Sequence, residues 1–178
     1  MATFYSDMLS EPKRSNRFFL YLEGIDVFEV KSVDKPKFSV ATVEHKFGQH
    51  RFRWPSSVTW DDVSVTLIDA TGPDGNGSAL AKVANRLVEA GYKPPTSFDN
   101  ATTYMSKAKM VNSFGQPKIV QVDADGNILE EWTLKNAFIL NAGFGTLSYD
   151  GDEIMTITLT FSYDYAVLNK TNPESTLL

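Results

Sequence analysis

The sequence predicts a mainly β protein with one α-helix set in mid-chain. Three observations carry this reading. From Pro117 onward the chain is a succession of β-branched and aromatic runs separated by turn signals. Aromatic residues make up 12% of the chain, with 12 Phe and 7 Tyr, an enrichment suited to strands and buried interfaces. One segment, 78–90, has the full spacing of an amphipathic helix. At 178 residues the chain suits one domain with a sizeable core, or at most two small ones.

Residues 1–15 are mixed and polar and read as an N-terminal arm. Arg17 to Glu23 is a strand without clean alternation, apolar on both faces and therefore expected to be buried on both. Gly24-Ile25-Asp26 turns the chain into a short strand, Val27 to Val30. Lys37 to Phe47 is a longer strand, and Phe47 to Ser57 reads as a loop. Val58 to Asp69 alternates, with Val63, Val65 and Leu67 on one face and Asp62, Ser64 and Thr66 on the other. The breaker cluster Thr71 to Gly77 precedes the helix. Ser78 is its N-cap, because a serine oxygen can accept a bond from the free N–H groups of the first turn. Leu80, Val83, Ala84, Leu87 and Val88 form its apolar stripe, and Gly91 ends it. Tyr92 to Thr96 is a loop, and 98–114 reads as either a short helix or irregular chain.

In the last third, Ile119 to Asp123 leads through Asp125-Gly126-Asn127, a hairpin turn signal, into Leu129 to Asn136 and then Ala137 to Leu147. Tyr149-Asp150-Gly151-Asp152 is a second turn. Glu153 to Tyr165 is the most regular strand: Met155, Ile157, Leu159, Phe161 and Tyr163 share one face, and Thr156, Thr158, Thr160, Ser162 and Asp164 the other. The polar residues from Ala166 on read as a tail without order of its own. The polar strand faces carry Thr and Ser rather than Lys and Glu. Monomeric sheets protect exposed faces and edges with charge, so long uncharged faces suit a sheet continued by other copies of the chain.

Composition excludes several classes of chemistry. There are no cysteines, hence no disulfide scaffold, iron–sulfur cluster, thiolate zinc site or cysteine nucleophile. A net charge of −5 argues against a generic nucleic-acid binder, which needs a Lys/Arg surplus. No apolar run approaches the roughly 18 residues of a membrane span. Met1 to Asp7 lacks a basic and apolar leader, so synthesis in the cytoplasm is expected. The two histidines, His45 and His50, have no carboxylate motif nearby and no further metal ligands at suitable spacing. Asp123-Ala-Asp125-Gly-Asn127 resembles part of a calcium loop, but the glycine offset is wrong and the distant Glu is missing, so it reads as a turn. Asp61 and Asp62 are adjacent in a strand and point to opposite faces, so they cannot act as a pair. No nucleophile elbow, phosphate loop or dinucleotide fingerprint is present. The expectation is no catalytic set, no cofactor and no metal.

What remains points to association. Between Lys31 and Arg53 there are six Lys/Arg against two Asp/Glu, or +4; between Gln121 and Tyr165 there are eight Asp/Glu against one Lys, or −7. Opposed segments of this kind suit a chain that meets its own copies. The segment Lys46 to Trp54 interleaves basic and aromatic residues, the composition of a protein–protein hot spot as well as of a single-strand nucleic-acid platform; the acidic balance favours the first.

These residues carry a resemblance. Glu131-Trp-Thr-Leu-Lys-Asn-Ala-Phe138, Gly145-Thr-Leu-Ser-Tyr149 and Glu153 to Ala166, with Ser15 to Phe18 and Trp54-Pro-Ser-Ser-Val-Thr-Trp60 before them, resemble in order and spacing the tail tube proteins of contractile-tailed, T4-like bacteriophages. The resemblance covers residues 15–166. It implies two packed antiparallel sheets with a flanking helix over 16–166, between the arm and a polar tail, 167–178. It implies a hexameric ring in which each copy gives four strands to a continuous barrel, and rings stacked into a tube that conducts double-stranded DNA, in a virion tail assembled in the host cytoplasm. The partners implied are the sheath, baseplate, tail terminator and tape measure proteins. The same fold serves type VI secretion and pyocin tubes and baseplate tube initiators; a monomeric ligand-binding β-barrel is the competing class. On this reading Phe47, Arg51, Phe52, Arg53 and Trp54 contact the next ring. The faces Asp62, Ser64, Thr66 and Thr156, Thr158, Thr160, Ser162 line the channel, the alternative being that they face the sheath. Leu80, Val83 and Leu87 join Met155, Ile157, Leu159 and Phe161 in the core.

Overall fold

The structure, a computed structural model, describes residues 12–25, 27–71, 78–97 and 104–169. Most of the expected arm and tail and the cluster at 72–77 lie outside the described residues. In chain order the elements are β1 (Phe18–Tyr21), β2 (Val30–Val33), β3 (Lys37–Phe47), β4 (His50–Asp61), β5 (Val63–Ile68), α1 (Ala79–Glu89), α2 (Lys107–Phe114), β6 (Lys118–Val122), β7 (Ile128–Lys135), β8 (Phe138–Gly143), β9 (Thr156–Ser162) and β10 (Tyr165–Asn169). Sheet I has the order β1-β6-β7-β10 and sheet II the order β2-β5-β9-β8; β3 and β4 form a separate two-stranded hairpin. Every pairing is antiparallel.

The two sheets face one another across a shared core. Leu20, Ile119, Leu134 and Ala166 come from sheet I, and Val63, Val65, Leu67, Ile157, Leu159 and Phe161 from sheet II. The period-2 pattern of β5 and β9 causes this directly: alternate residues are buried, and the Ser and Thr residues between them stay partly or fully exposed. The two strands are neighbours, with Val63 opposite Phe161 and Leu67 opposite Ile157.

Ser78 caps α1, its Oγ accepting from the Ala81 N–H at 3.2 Å. Val83 is buried in the core with Ala79, and Leu87 packs against a second cluster of Ala90, Met110 and Phe114. The expected stripe is rotated. Leu80 is 40% exposed and Val88 also faces solvent, while Ala79 and Ala90 take the buried positions. Small residues at both ends make the closest contacts, Ala79 in the shared core and Ala90 against Met110 and Phe114. Gly91 sits at φ +102°, where a Cβ would meet the Tyr104 carbonyl. A largely buried ion pair, Lys82 Nζ to Glu29 Oε1 at 2.8 Å, ties α1 to the 3-10 turn Val27–Glu29.

Further expectations are corrected, and one left open is settled. Arg17 to Glu23 is not buried on both faces: β1 is an edge strand with Leu20 buried and Phe19 and Tyr21 about half exposed, 43% and 50%. Val27 to Val30 is mostly the 3-10 turn, and the strand begins at Val30. Of the two readings left open for 98–114, the short helix is the one found: α2, capped by Ser106. The run from Glu153 to Tyr165 is not one strand. β9 ends at Ser162, and the chain crosses to sheet I as β10, which pairs with β7 and extends three residues past the boundary placed at 166. Both strands face one core, so the apolar pattern runs through the crossing without a break. Asp164 marks it, accepting from Lys107 Nζ at 2.5 Å and Asn136 Nδ2 at 2.8 Å. Met155 lies before the strand and is only half-buried. Finally, Phe47 to Ser57 is no loop but the turn and most of β4.

Truncation of Phe161 to Ala is expected to lower stability by about 3–5 kcal/mol, whereas Leu80→Ala should cost about 0.5 kcal/mol or less. Urea denaturation of the dissociated chains measures both.

Candidate assembly interface

The hairpin of β3 and β4 has strands of 11 and 12 residues. Every residue of β3 is exposed, and every residue of β4 except Trp60. A lone two-stranded hairpin is marginally stable in water at best. Its root is held. Phe38 meets Trp60 in a tilted ring contact with centroids 5.4 Å apart, and Trp60 meets the buried Tyr163 in the same way at 6.1 Å. Burial, then the charges of Asp61 and Asp62, push the Tyr163 hydroxyl up to about 12. This ring therefore stays neutral in the core. Beyond the root, nothing else in the described chain covers the strands.

The register shows how the exposed side chains are sorted. Phe38 faces Trp60 and Val40 faces Val58, after which the pairing shifts so that Thr42 faces Pro55. Two residues of β4, Ser56 and Ser57, thus stand opposite Ala41, a bulge that moves the apolar face to the other side of the ribbon. In the outer half, Val43 pairs with Trp54, His45 with Phe52 and Phe47 with His50 on one face. Glu44 with Arg53 and Lys46 with Arg51 occupy the opposite face. Phe47 is 75% exposed, Phe52 49% and Trp54 51%. Pro55 is tolerated because the hairpin has no further strand for its missing N–H to serve. Both histidines lie on this ribbon. His45 stands 6.2 Å from Trp54 ring to ring, and neither is near a carboxylate constellation.

Part of the ribbon's charge is satisfied within it. Arg53 Nε donates to Glu44 Oε1 at 2.7 Å, and Arg51 reaches the same carboxylate at 3.9 Å. Lys35, just before β3, pairs with Glu130 of β7, as does Lys13 at 2.7 Å. Part of the opposed charge seen in the sequence is therefore neutralised inside one chain.

A second surface is the outer face of sheet II. Ser32, Thr66, Thr158 and Gly143 form one row across its four strands, and Ser64, Thr160 and Asn141 form the next. These rows carry no charged side chain. The exposed Asp62 lies just outside β5. Thr156 is opposite Ile68 and Ser162 opposite Phe138, so an apolar residue bounds the hydroxyl rows at each end. The polar faces of β5 and β9, far apart in the sequence, are one continuous surface.

Asp123 is committed to its turn: Oδ1 accepts from the Asp125 and Asn127 N–H groups at 2.9 and 2.8 Å, and Oδ2 from the Asn127 amide at 3.0 Å. Those bonds, the Asn127 side chain first, hold its carboxyl below the ordinary value. Among the described residues there is no group of three or more side chains able to hold a metal, and no helix long and apolar enough to cross a membrane.

No protein-family model matches this sequence, and no curated protein is similar to it in sequence. Solved structures share its fold. A chain of the anti-feeding prophage baseplate superposes with a TM-score of 0.64 at 13% identity, over 92% of this chain and 99% of that one. A chain of the anti-feeding prophage tube-terminating cap gives 0.65 at 16% identity, over 96% and 99%. A chain of the PVC sheath–tube complex, an extracellular contractile injection system in its extended state, gives 0.61 at 17% identity, over 89% and 92%. The fold of this chain is thus one found in contractile injection systems.

Glu130 allows a pH test of how the hairpin root is held. Burial acts to raise its pKa, and the hydrogen bonds from Lys13 and Lys35 outweigh that, holding it below the ordinary 4.5. A lowered folded-state value contributes stability above the unfolded value and loses it as pH falls through the folded one. Urea midpoints should therefore be steady above about pH 5 and fall below pH 4.5. In Glu130→Gln the acid-side fall should be shallower.

Proposed function

We propose that the chain is the structural subunit of a tail or injection tube, in which rings of six copies stack into a hollow cylinder. The observation that carries this reading is the β3–β4 hairpin, bare on both faces and rich in aromatic and basic residues. Such a ribbon needs a partner, and a fold shared with baseplate, cap and sheath–tube chains supports another copy as that partner. The role is structural rather than catalytic. Phe47, Arg51, Phe52, Arg53 and Trp54 make the contact between stacked rings.

The hydroxyl rows of sheet II line the channel in this reading. A lining rich in Lys or Arg would hold passing DNA through counterion release. Ser64, Thr66, Thr158 and Thr160 offer no such charge, and six copies at −5 each give a ring of −30. The cargo expected from the tail resemblance is double-stranded DNA. Sheath, baseplate, terminator and tape measure proteins are the remaining partners, and a virion tail assembled in the host cytoplasm is the location.

A second reading has specific support. Two of the matching folds belong to a baseplate and a tube-terminating cap, which favours a ring that starts or ends a tube. Electron microscopy of the purified protein separates the two: long tubes for the main subunit, single rings for an initiator or terminator, and a monomer of 19.8 kDa for neither.

Replacing Phe52 and Trp54 together by Ala should leave the urea midpoint of the dissociated chain unchanged. It should weaken ring stacking by about 2 kcal/mol or more, as expected of aromatic anchors. Thr158→Lys should still give tubes but slow DNA ejection in a salt-dependent manner. Unchanged ejection with lost sheath binding would place the hydroxyl face outside.

A further inference from the structure

The connection between β8 and β9, residues 144–155, carries more exposed apolar surface than a loop needs. Leu147 is 84% exposed and Ile154 70%, and Phe144 and Tyr149 are exposed with them. The loop bends into a cup of about 460 Å³ whose apolar lining includes Leu147, Ile154 and Met155. Asp150, Asp152 and Glu153 stand on the same loop with no Lys or Arg among them, a local charge of −3. None of the three has an ion-pair partner among the described residues.

The outer hairpin is complementary in both respects. Its apolar face presents Phe47, Phe52 and Trp54, and residues 43–54 carry +2. Lys46 and Arg51 are directly opposite each other. Like charges in that position destabilise a ribbon unless an anion lies between or beside them. Glu44 is engaged by Arg53 and reached by Arg51 only at 3.9 Å. Lys46 has no ion-pair partner among the described residues.

The topology sets the two surfaces at opposite ends of sheet II. The hairpin leaves where β5 begins, at Asp61, and the 144–155 loop lies where β5 ends, since Ile68 pairs with Thr156. Six residues of β5 at about 3.3 Å each put roughly 20 Å between those ends. A donor at one end and a receiver at the other make a heterologous contact, which propagates along an axis instead of closing on itself. We propose that the 144–155 loop receives the hairpin tip of the next copy along that axis, the cup taking its aromatic face and Asp150, Asp152 and Glu153 taking Lys46 and Arg51. This rests on the reading of the chain as a stacking tube subunit and names the receiving surface.

The test uses charge exchange and cross-linking in the full chain. Lys46→Glu with Arg51→Glu should raise the protein concentration needed for polymers at least tenfold, and Asp150→Lys with Asp152→Lys should do the same. A mixture of the two variants should restore mixed contacts, and all four changes in one chain should recover most of the wild-type polymer. Because the chain has no cysteine, Gln49→Cys with Ser148→Cys gives a clean reporter: polymers should cross-link between copies under a mild oxidant, and dissociated chains should not. If the hairpin variant depolymerises but neither rescue nor cross-link appears, the hairpin stacks on a different surface and this assignment is overturned. If the hairpin variant polymerises normally, the tube-subunit reading of the hairpin fails as well.

Discussion

The constraint on which the rest depends is that a ribbon of two strands, with water on both faces, cannot hold its own shape. Residues 37–61 spend a seventh of the chain on such a ribbon. Its backbone bonds are internal, its outer aromatic side chains touch only one another, and its charges are traded mainly between Arg53 and Glu44. Ordering so many residues costs conformational entropy that only burial can offset. In the single chain that burial stops at Trp60 and the root. On the proposed reading the remainder comes from association, and assembly is then part of the fold rather than an addition to it.

The sandwich serves that ribbon by giving it a rigid base. Tyr163, at the crossing from β9 to β10, carries the tilted aromatic contacts of Trp60 and Phe38, so the root is fixed at the point where the two sheets share a strand connection. Glu130 of sheet I fixes the other side through Lys35, and Lys35 also donates to Gln121 at 2.6 Å. Glu130 itself is largely covered while Lys13 and Lys35 are half-exposed, so water screens these pairs in part. The same two-sheet core leaves the hydroxyl rows of β5 and β9 free of apolar bulk, because those strands send every apolar residue except Ile68 the other way.

Much of this was legible in the sequence, and the failures have physical causes. Strict alternation in 63–67 and 157–161 gave the core residues and the hydroxyl face, because a half-buried strand has one period and two environments. Alternation could not show that Ser162 ends one strand and Tyr165 starts another, since both sheets bury toward one core. The amphipathic stripe located α1 but misjudged its rotation: Leu80 is exposed because Ala79 and Ala90 make the close contact. Trp54-Pro55 and the charges around it read as loop because the usual signs of a strand, alternation toward a core and absence of proline, do not apply to a ribbon that its own sheets leave uncovered. The bulge at Ser56 and Ser57 further splits its apolar face between two sides. Of the 144–155 loop only Tyr149 to Asp152 read as a turn; 144–147 and 153–155 read as strand ends, and the exposed Leu147 and Ile154 gain meaning from their place at the far end of β5.

The central claim is that the hairpin depends on a second copy, and amide hydrogen exchange tests it most directly. In dilute, dissociated protein, amides of β5 and β9 should be protected as parts of the core, while those of 40–58 should exchange at rates close to those of unstructured chain. In the assembled form the same hairpin amides should become protected by at least a hundredfold, with β5 and β9 little changed. Equal protection of 40–58 in both forms would contradict the account.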